Sequence, residues 1–254
     1  MTETLEVIES DLAIPGVRAL TTTRRGGVSE APFDALNLGD HVGDDKLAVE
    51  RNRVLIREHL GIPEPHWLRQ VHGTRAVEAG RQALPEADAQ WTDTPDIPIA
   101  ILSADCLPVV LAAQDGSCIG VAHAGWRGLA AGVIEALIAA MPLSGSALSA
   151  WLGPAISADW YQVGAEVREQ FLAHQGESAA AGFGPASDAP GFWMANLSQL
   201  AHAILEREGV QSVSGGTFCT AADPGRFYSH RRDGAQSGRM ATLAWLTDTP
   251  HTPT

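Results

Sequence analysis

The sequence predicts an α+β fold: a single domain over residues 1–254, with a mixed β-sheet layered against flanking helices. Three observations carry that expectation. Short apolar runs of strand length interleave irregularly with longer stretches of helical periodicity. The chain has 254 residues, 45% of them hydrophobic, enough for one large core. No internal repeat or linker divides it.

Taken in order, Leu5 to Leu20 alternates apolar and polar residues and reads as a strand or short hairpin. Thr21 to Ser29 is a polar, glycine-containing loop, and Pro32 to Asp45 is rich in turn residues. Lys46 to Leu60 reads as a helix whose shared face is Leu47, Val54, Leu55 and Leu60, ended by Gly61-Ile62-Pro63. Trp67 to His72 is a strand. Ile97 to Leu102, Val109 to Ala113 and Ser117 to Ala122 are three apolar strands, the last two joined by the hairpin turn Gln114-Asp115-Gly116. Gly128 to Met141 is a helix with Val133, Ile134, Leu137, Ile138 and Met141 on one side. A short strand, Ala150 to Leu152, runs into Gly153-Pro154. Val163 to Ala173 and Ala195 to Glu208 are two more helices. Ser214 to Cys219 is a strand, Asp223-Pro224-Gly225 a turn and Arg239 to Leu246 the final strand. The Ala-, Gly-, Ser- and Pro-rich segment 177–190 is a surface loop, and 247–254 is a flexible tail.

The net charge of −13 argues against nucleic acid and anionic lipid surfaces as partners. The longest apolar run, Ile97 to Ala113, is interrupted by Pro98, Asp105 and Pro108, so no membrane span is expected. No stretch at the start has the form of a signal peptide. Three cysteines at wide spacing, Cys106, Cys118 and Cys219, fit a reducing cytoplasm rather than a disulfide framework. A monomer is the simplest expectation.

The chemistry concentrates in two segments, SADCLP (103–108) and AHAGWRG (122–128). His72, Cys106 and His123 each border an apolar strand. Two imidazoles and a thiolate with an open fourth position form a catalytic zinc pattern, although the spacing matches no short zinc signature. Cys106 with His123 as nucleophile and base is the competing arrangement, and the two exclude each other because a thiolate held by zinc is a poor free nucleophile. The plainest reading is a buried small cysteine and satisfied loop histidines. His41 is a further loop histidine. Gly125-Trp126-Arg127-Gly128 opens a helix and offers backbone N–H groups beside an arginine, an arrangement suited to anions. Arg226, Arg231, Arg232 and Arg239 fall in one window, where Asp223 and Asp233 are available to pair with them. Arg24, Arg25 and Ser29 lie on the 21–29 loop. Donor-rich loops without a Walker sequence point to a small phosphate or a phosphorylated ribose. Trp91, Trp126, Phe227 and Tyr228 are either stacking surfaces for a flat base or core fillers.

These residues sit in ordered blocks: RRGGVSEAPFDALNLGDHVGDD, WLRQVHG, ILSADCLPVVL, AHAGWRGLAAGV, WLGPAISADWYQVGAEV, FCTAADPGRFYSHRRDG and GRMATLAWL. From Arg18 to Leu246 the chain resembles the bacterial laccase-domain family. That family is also called polyphenol oxidase or peptidoglycan editing factor, and is described as purine nucleoside phosphorylases. The resemblance implies a layered fold similar to that of cysteine-type toxin deamidases. It implies zinc on His72, Cys106 and His123, with copper as the competing ion. It further implies phosphorolysis of adenosine, inosine, guanosine or methylthioadenosine to a purine base and ribose 1-phosphate, together with deamination of adenosine. His72, Cys106, His123 and Asp105 then form the catalytic set, Asp105 as an outer-shell or proton-shuttling group. Arg24, Ser29, Asn37, Gly125, Trp126, Arg127, Tyr228 and Arg231 form the substrate-binding set. The partners are nucleoside and phosphate. Ser103, Gln162 and Asn196 depart from the family's usual threonine, glutamate and aspartate. HxH pairs for several coppers are absent, so copper-dependent polyphenol oxidation is the weaker reading. The same residues also fit a metal-free Cys–His amidase acting on a cell-wall precursor, or a non-catalytic module that binds a small metabolite.

Overall fold

Side-chain alternation along the apolar strands sorts the core into layers. The computed structural model describes residues 4–187 and 189–247. In chain order these form β1 (Val7–Glu9), β2 (Val17–Thr22), α1 (Lys46–Leu60), β3 (Ala76–Glu78), β4 (Ala89–Thr92), β5 (Ile99–Ser103), β6 (Leu107–Ala113), β7 (Ile119–Ala124), α2 (Trp126–Ala131), α3 (Val133–Ala140), β8 (Leu148–Leu152), β9 (Gln162–Gly164), α4 (Ala165–Gln175), β10 (Phe183–Pro185), β11 (Phe192–Ala195), α5 (Leu197–Arg207), β12 (Ser212–Gly215), α6 (His230–Asp233) and β13 (Met240–Leu246).

The strands build three sheets rather than the single mixed sheet expected. A six-stranded sheet has the order β12-β8-β6-β7-β4-β3, a four-stranded sheet β1-β2-β13-β5 and a small one β10-β11-β9. In β6, Val109 and Leu111 pack with Ile134, Leu137 and Phe171 from the helices. Their neighbours Val110 and Ala112 face Ile99, Ile101 and Ala244 of the four-stranded sheet. On that sheet's other side Ala100, Leu102 and Leu243 pack with Ile56 of α1. The period of two thus produces helices, sheet, sheet and helix in succession. Each buried leucine, isoleucine or valine contributes about 1.5–3 kcal/mol to this stack.

Several elements differ from the sequence reading for identifiable reasons. Helix α1 has the expected bounds, but its buried face is Val49, Asn52 and Ile56, while Leu47 is exposed. Asn52 is inward because its amide bridges Ser29 and the carbonyls of Ala35 and Asn37, a polar demand that apolar periodicity does not register. The expected helix from Gly128 to Met141 is two helices, α2 and α3. They break at Gly132, whose φ of 100° lies where only glycine sits without strain. Trp67 to His72 is an extended segment with isolated bridges at His66 and Arg69 rather than a ladder strand. The strand expected over Ser214 to Cys219 lies earlier, at Ser212–Gly215, because it pairs in parallel with β8. Segment 177–190 is not a bare surface loop, since Ala179 and Phe183 are buried and β10 pairs with β11. The tail beyond Thr247 lies outside the described residues.

Candidate metal centre and arginine-lined cavity

Two sheet ends and one turn bring the three sulfur and nitrogen donors together. Cys106 sits between β5 and β6, immediately before Leu107, and His123 lies within β7. The β6–β7 register, with Leu107 opposite Ala124 and Pro108 opposite His123, sets them side by side. His72 arrives on the turn after the 66–69 segment with φ 59°, a left-handed conformation uncommon for a non-glycine residue. One ligand atom from each residue lies within 4.8 Å of the others. Cys106 Sγ is 3.9 Å from His72 Nε2, and the two imidazole rings meet edge-on at 4.7 Å.

Asp88 organises this cluster, and the sequence reading did not single it out. Its carboxylate is fully buried and accepts from the backbone N–H groups of Val71, His72 and Gly73 at 3.1, 2.9 and 2.7 Å. It also lies 2.8 Å from His123 Nδ1. One side chain therefore holds the strained His72 turn and orients the His123 ring, leaving His123 Nε2 toward the cluster. The residue stands one position before β4, a strand that the sequence did not reveal. The strand is Ala-Gln-Trp-Thr, half of it polar, so no apolar run marked it.

The electrostatics match the donor set. Burial works against the Cys106 thiolate, but His123 and His72 outweigh it and bring the thiol down to about 6. Burial likewise opposes a charged His123, yet Cys106 and Asp88 raise it to about 9. Burial also opposes the Asp88 carboxylate, and the bonds from His123 and the backbone N–H groups overcome it, holding its pKa below the usual carboxylate range. Without metal, the centre at neutral pH is a thiolate–imidazolium pair resting on a carboxylate. Two imidazoles and one thiolate, with the donors close and one side open to a cavity, suit a single tetrahedral ion with a vacant fourth position.

Gly125 is required here for space. A Cβ at this position would stand 2.9 Å from Cys106 Sγ and 3.0 Å from His72 Cδ2. Gly125→Ala should therefore spread the donors and weaken zinc affinity about 10- to 100-fold. A competition titration against a chelator measures this, with unaltered affinity as the contrary result. The glycine does not line the cavity.

The cluster opens into a cavity of about 510 Å³, within the range of about 300–1,000 Å³ common for small-molecule sites. Trp126, Arg127 and Arg231 line it as the sequence reading expected. Tyr161 and His230, not singled out from the sequence, line it as well, as do His41 and Arg239, the latter a member of the basic window. Arg127 stacks on Trp126, and Arg231 stacks on Tyr161 while donating to the Gln162 carbonyl. Burial pushes the Tyr161 phenol far above its ordinary value, so it stays a donor. In the basic window, Arg226 and Arg232 are taken by Asp223 and Asp233, which leaves Arg231 and Arg239 to the cavity.

Besides Gly125, four expected substrate contacts do not line it. Arg24 pairs with Asp34 and stacks on Tyr228. Tyr228 is fully buried and donates to the Phe33 carbonyl. Ser29 donates to Asp44. Asn37 donates to Asp44 and accepts from the backbone N–H groups of Gly39 and Arg239. All four brace the 24–45 loop, because their polar groups are consumed within the protein. Asp105 borders the cavity, but its carboxylate accepts from Thr220, Ser229 and the Arg231 N–H at 2.6, 3.1 and 2.6 Å. These three bonds fix the turn that aims Cys106.

Comparison with known proteins agrees with this arrangement. A family model described as multi-copper polyphenol oxidoreductase laccase matches residues 18–247. A Pseudomonas aeruginosa protein named purine nucleoside phosphorylase is 49% identical over 232 residues, covering 91% of this chain and 94% of its own. The Escherichia coli protein named purine nucleoside phosphorylase YfiH is 42% identical over 234 residues, again covering 91% and 94%. The crystal structure of a Neisseria meningitidis protein superposes with a TM-score of 0.90 at 44% identity, over 95% of this chain and 99% of that one. YlmD from Geobacillus stearothermophilus superposes at 0.82 with 29% identity, over 92% and 93%.

Proposed function

The chain belongs to the family described as multi-copper polyphenol oxidoreductase laccase, and from that premise we propose that it is a zinc-dependent purine nucleoside phosphorylase that also deaminates adenosine. The observation that carries the reading is a cavity holding the His72–Cys106–His123 donor set together with Arg127, Arg231 and Arg239, none of them ion-paired among the described residues of a chain of net charge −13. The names of the relatives supply the reaction.

Phosphorolysis requires phosphate held below C1′ of the ribose and a base stabilised as it departs. The arginines supply positive charge and donors for the phosphate and the ribose. Trp126 and Tyr161 offer aromatic faces to the purine, each backed by a stacked arginine. The Tyr161 phenol, protonated at neutral pH, is a donor for a ring nitrogen or a ribose hydroxyl. His72, Cys106 and His123 would hold the zinc, which when bound lowers the pKa of a water to about 7 for attack at C6 in deamination.

One cluster of three donors occurs among the described residues. It supports one ion, whereas multi-copper oxidation needs several, so polyphenol oxidation is not part of the proposal. The thiolate–imidazolium pair of Cys106 and His123 favours one second reading, a metal-free Cys–His amidase. With all three cysteines unpaired, we assign the activity to a reducing compartment, the cytoplasm.

Incubation of the zinc-loaded protein with adenosine or inosine, followed by chromatography with and without phosphate, tests the reading. Free base and ribose 1-phosphate should appear only with phosphate, and inosine from adenosine without it. Unchanged nucleosides in both arms would refute the nucleoside reading, and base release surviving full chelation would refute its dependence on zinc.

A further inference from the structure

The arginines of the cavity are not equivalent. Arg127 and Arg231 are exposed and lie flat on aromatic rings. Arg239 is half-buried and fixed. Its Nη1 donates to the carbonyls of Ser237 and Gly238 at 2.7 and 3.0 Å. Its backbone N–H donates to Asn37 Oδ1 at 2.8 Å, and its carbonyl accepts from Leu38 at 3.1 Å. Its stem rests on Gly39, where an added Cβ would come within 2.7 Å of Arg239 Cγ. No carboxylate pairs with it among the described residues. Burial depresses its pKa, and the nearest negative groups that offset this are Cys106 and Asp105. The first is a proposed metal ligand and the second already accepts from three donors. Its Nε and Nη2 are left without a protein acceptor.

A second observation lies on the same wall. Ser103 pairs with Met240 in the β5–β13 ladder, so it sits beside Arg239 at one end of the four-stranded sheet. Ser103 lines the cavity, is 2% exposed, and its hydroxyl has no hydrogen-bond partner. A buried hydroxyl left unpaired is costly, which marks it as a group awaiting an acceptor. His41 lines the cavity nearby, lowered in pKa by burial and by Arg239 itself. Its Nδ1 lies 3.5 Å from Asp40 Oδ1, so the single N–H of a neutral imidazole there is spent on that carboxylate.

We propose that Arg239 and Ser103 form the subsite for inorganic phosphate, in the cavity that Trp126 and Tyr161 also line. This assignment rests on the phosphorolysis reading. A guanidinium held by backbone carbonyls presents its remaining N–H groups in the fork that matches two oxygens of a tetrahedral oxyanion. Because the side chain is already immobilised, little ordering accompanies binding.

Steady-state kinetics with phosphate and inosine varied separately, and calorimetry with inorganic phosphate alone, test the subsite. Arg239→Gln should raise the KM for phosphate and weaken phosphate binding about 10- to 100-fold, the factor carried by one hydrogen bond to a charged group. The KM for inosine should move far less. Arg127→Gln should show the reverse split. An unchanged phosphate KM in Arg239→Gln, or a phosphate defect confined to Arg127→Gln, overturns the subsite. If the wild-type protein releases no base, the phosphorolysis reading falls, and calorimetry still decides the subsite: weaker phosphate binding in Arg239→Gln sustains it, and equal or absent binding overturns it. Should Arg239→Gln fail to fold, Arg239→Lys and Ser103→Ala carry the same comparison, and both must weaken phosphate.

Discussion

Cys106→Ala is expected to strip the protein of bound metal and to lower nucleoside turnover about 10²- to 10³-fold, the scale at which one preorganised electrostatic group acts in an active site. Metal content by mass spectrometry and turnover by chromatography read the two effects separately. The physical basis is the donor set itself. The thiolate is the only soft ligand and the only formal negative charge among the three. Alanine leaves two imidazoles, which bind zinc weakly at this geometry. The pair electrostatics add a sharper expectation. Cys106, brought to about 6, is already deprotonated at pH 7.5, whereas His123, raised to about 9, carries its proton. Zinc binding to the wild-type protein should therefore release about one proton, from the imidazolium rather than from the thiol. Calorimetry in buffers of different ionisation enthalpy counts it. Zinc uptake should fall as pH drops through about 6, where the proton competes for sulfur. Full metal occupancy in Cys106→Ala would remove sulfur from the ligand set.

Asp88→Asn is the second large effect, and it reaches stability as well as metal. Four donors converge on this buried carboxylate, three from the backbone of residues 71–73 and one from His123. An asparagine presents one accepting oxygen and one NH2, so at least one N–H donor faces another donor. The variant also removes one of the two negative groups, Cys106 and Asp88, that keep the His123 ring charged. Loss of one partner from a buried pair costs about 3–5 kcal/mol. The direction with pH follows from the lowered Asp88 pKa. A carboxylate that ionises more readily in the folded state contributes stability above its unfolded pKa of about 3.9 and loses it as pH falls through the lower folded value. Metal-free wild type should thus lose stability on acidification below about pH 4, and Asp88→Asn should be weaker at neutral pH with a flatter acid limb. Denaturant titrations of the chelated proteins at several pH values measure this. Zinc affinity should also fall about 10- to 100-fold. A variant with wild-type stability and affinity would show that the His72 turn holds itself.

Much of the site was legible because strand ends and glycine turns announce themselves. The runs before SADC and around AHAGW, with cysteine and histidine at their edges, marked the metal cluster. Arg127 and Arg231 were found as cations in an acidic chain, and Trp126 as an aromatic beside them. What the structure does not bring to the cavity is a set of polar residues in the 24–45 loop and on its neighbour Tyr228. Arg24, Ser29, Asn37 and Tyr228 have the chemistry of ligand contacts, yet each is satisfied by the protein. A side chain's type says what it is able to bond, and only its neighbours say whether that capacity is spent.

The sequence by itself determined the α+β class, most element positions and the identity of the three donors, because periodicity and turn chemistry are local properties of the chain. Tertiary structure alone decided that the strands divide into three sheets, that Gly125 must lack a side chain, and that Asp88 and Arg239 belong to the centre. Those outcomes depend on which distant segments meet. Residues 72, 88, 106, 123 and 239 are brought together by ladder register and backbone hydrogen bonds across long separations, and no local pattern in the chain encodes that meeting.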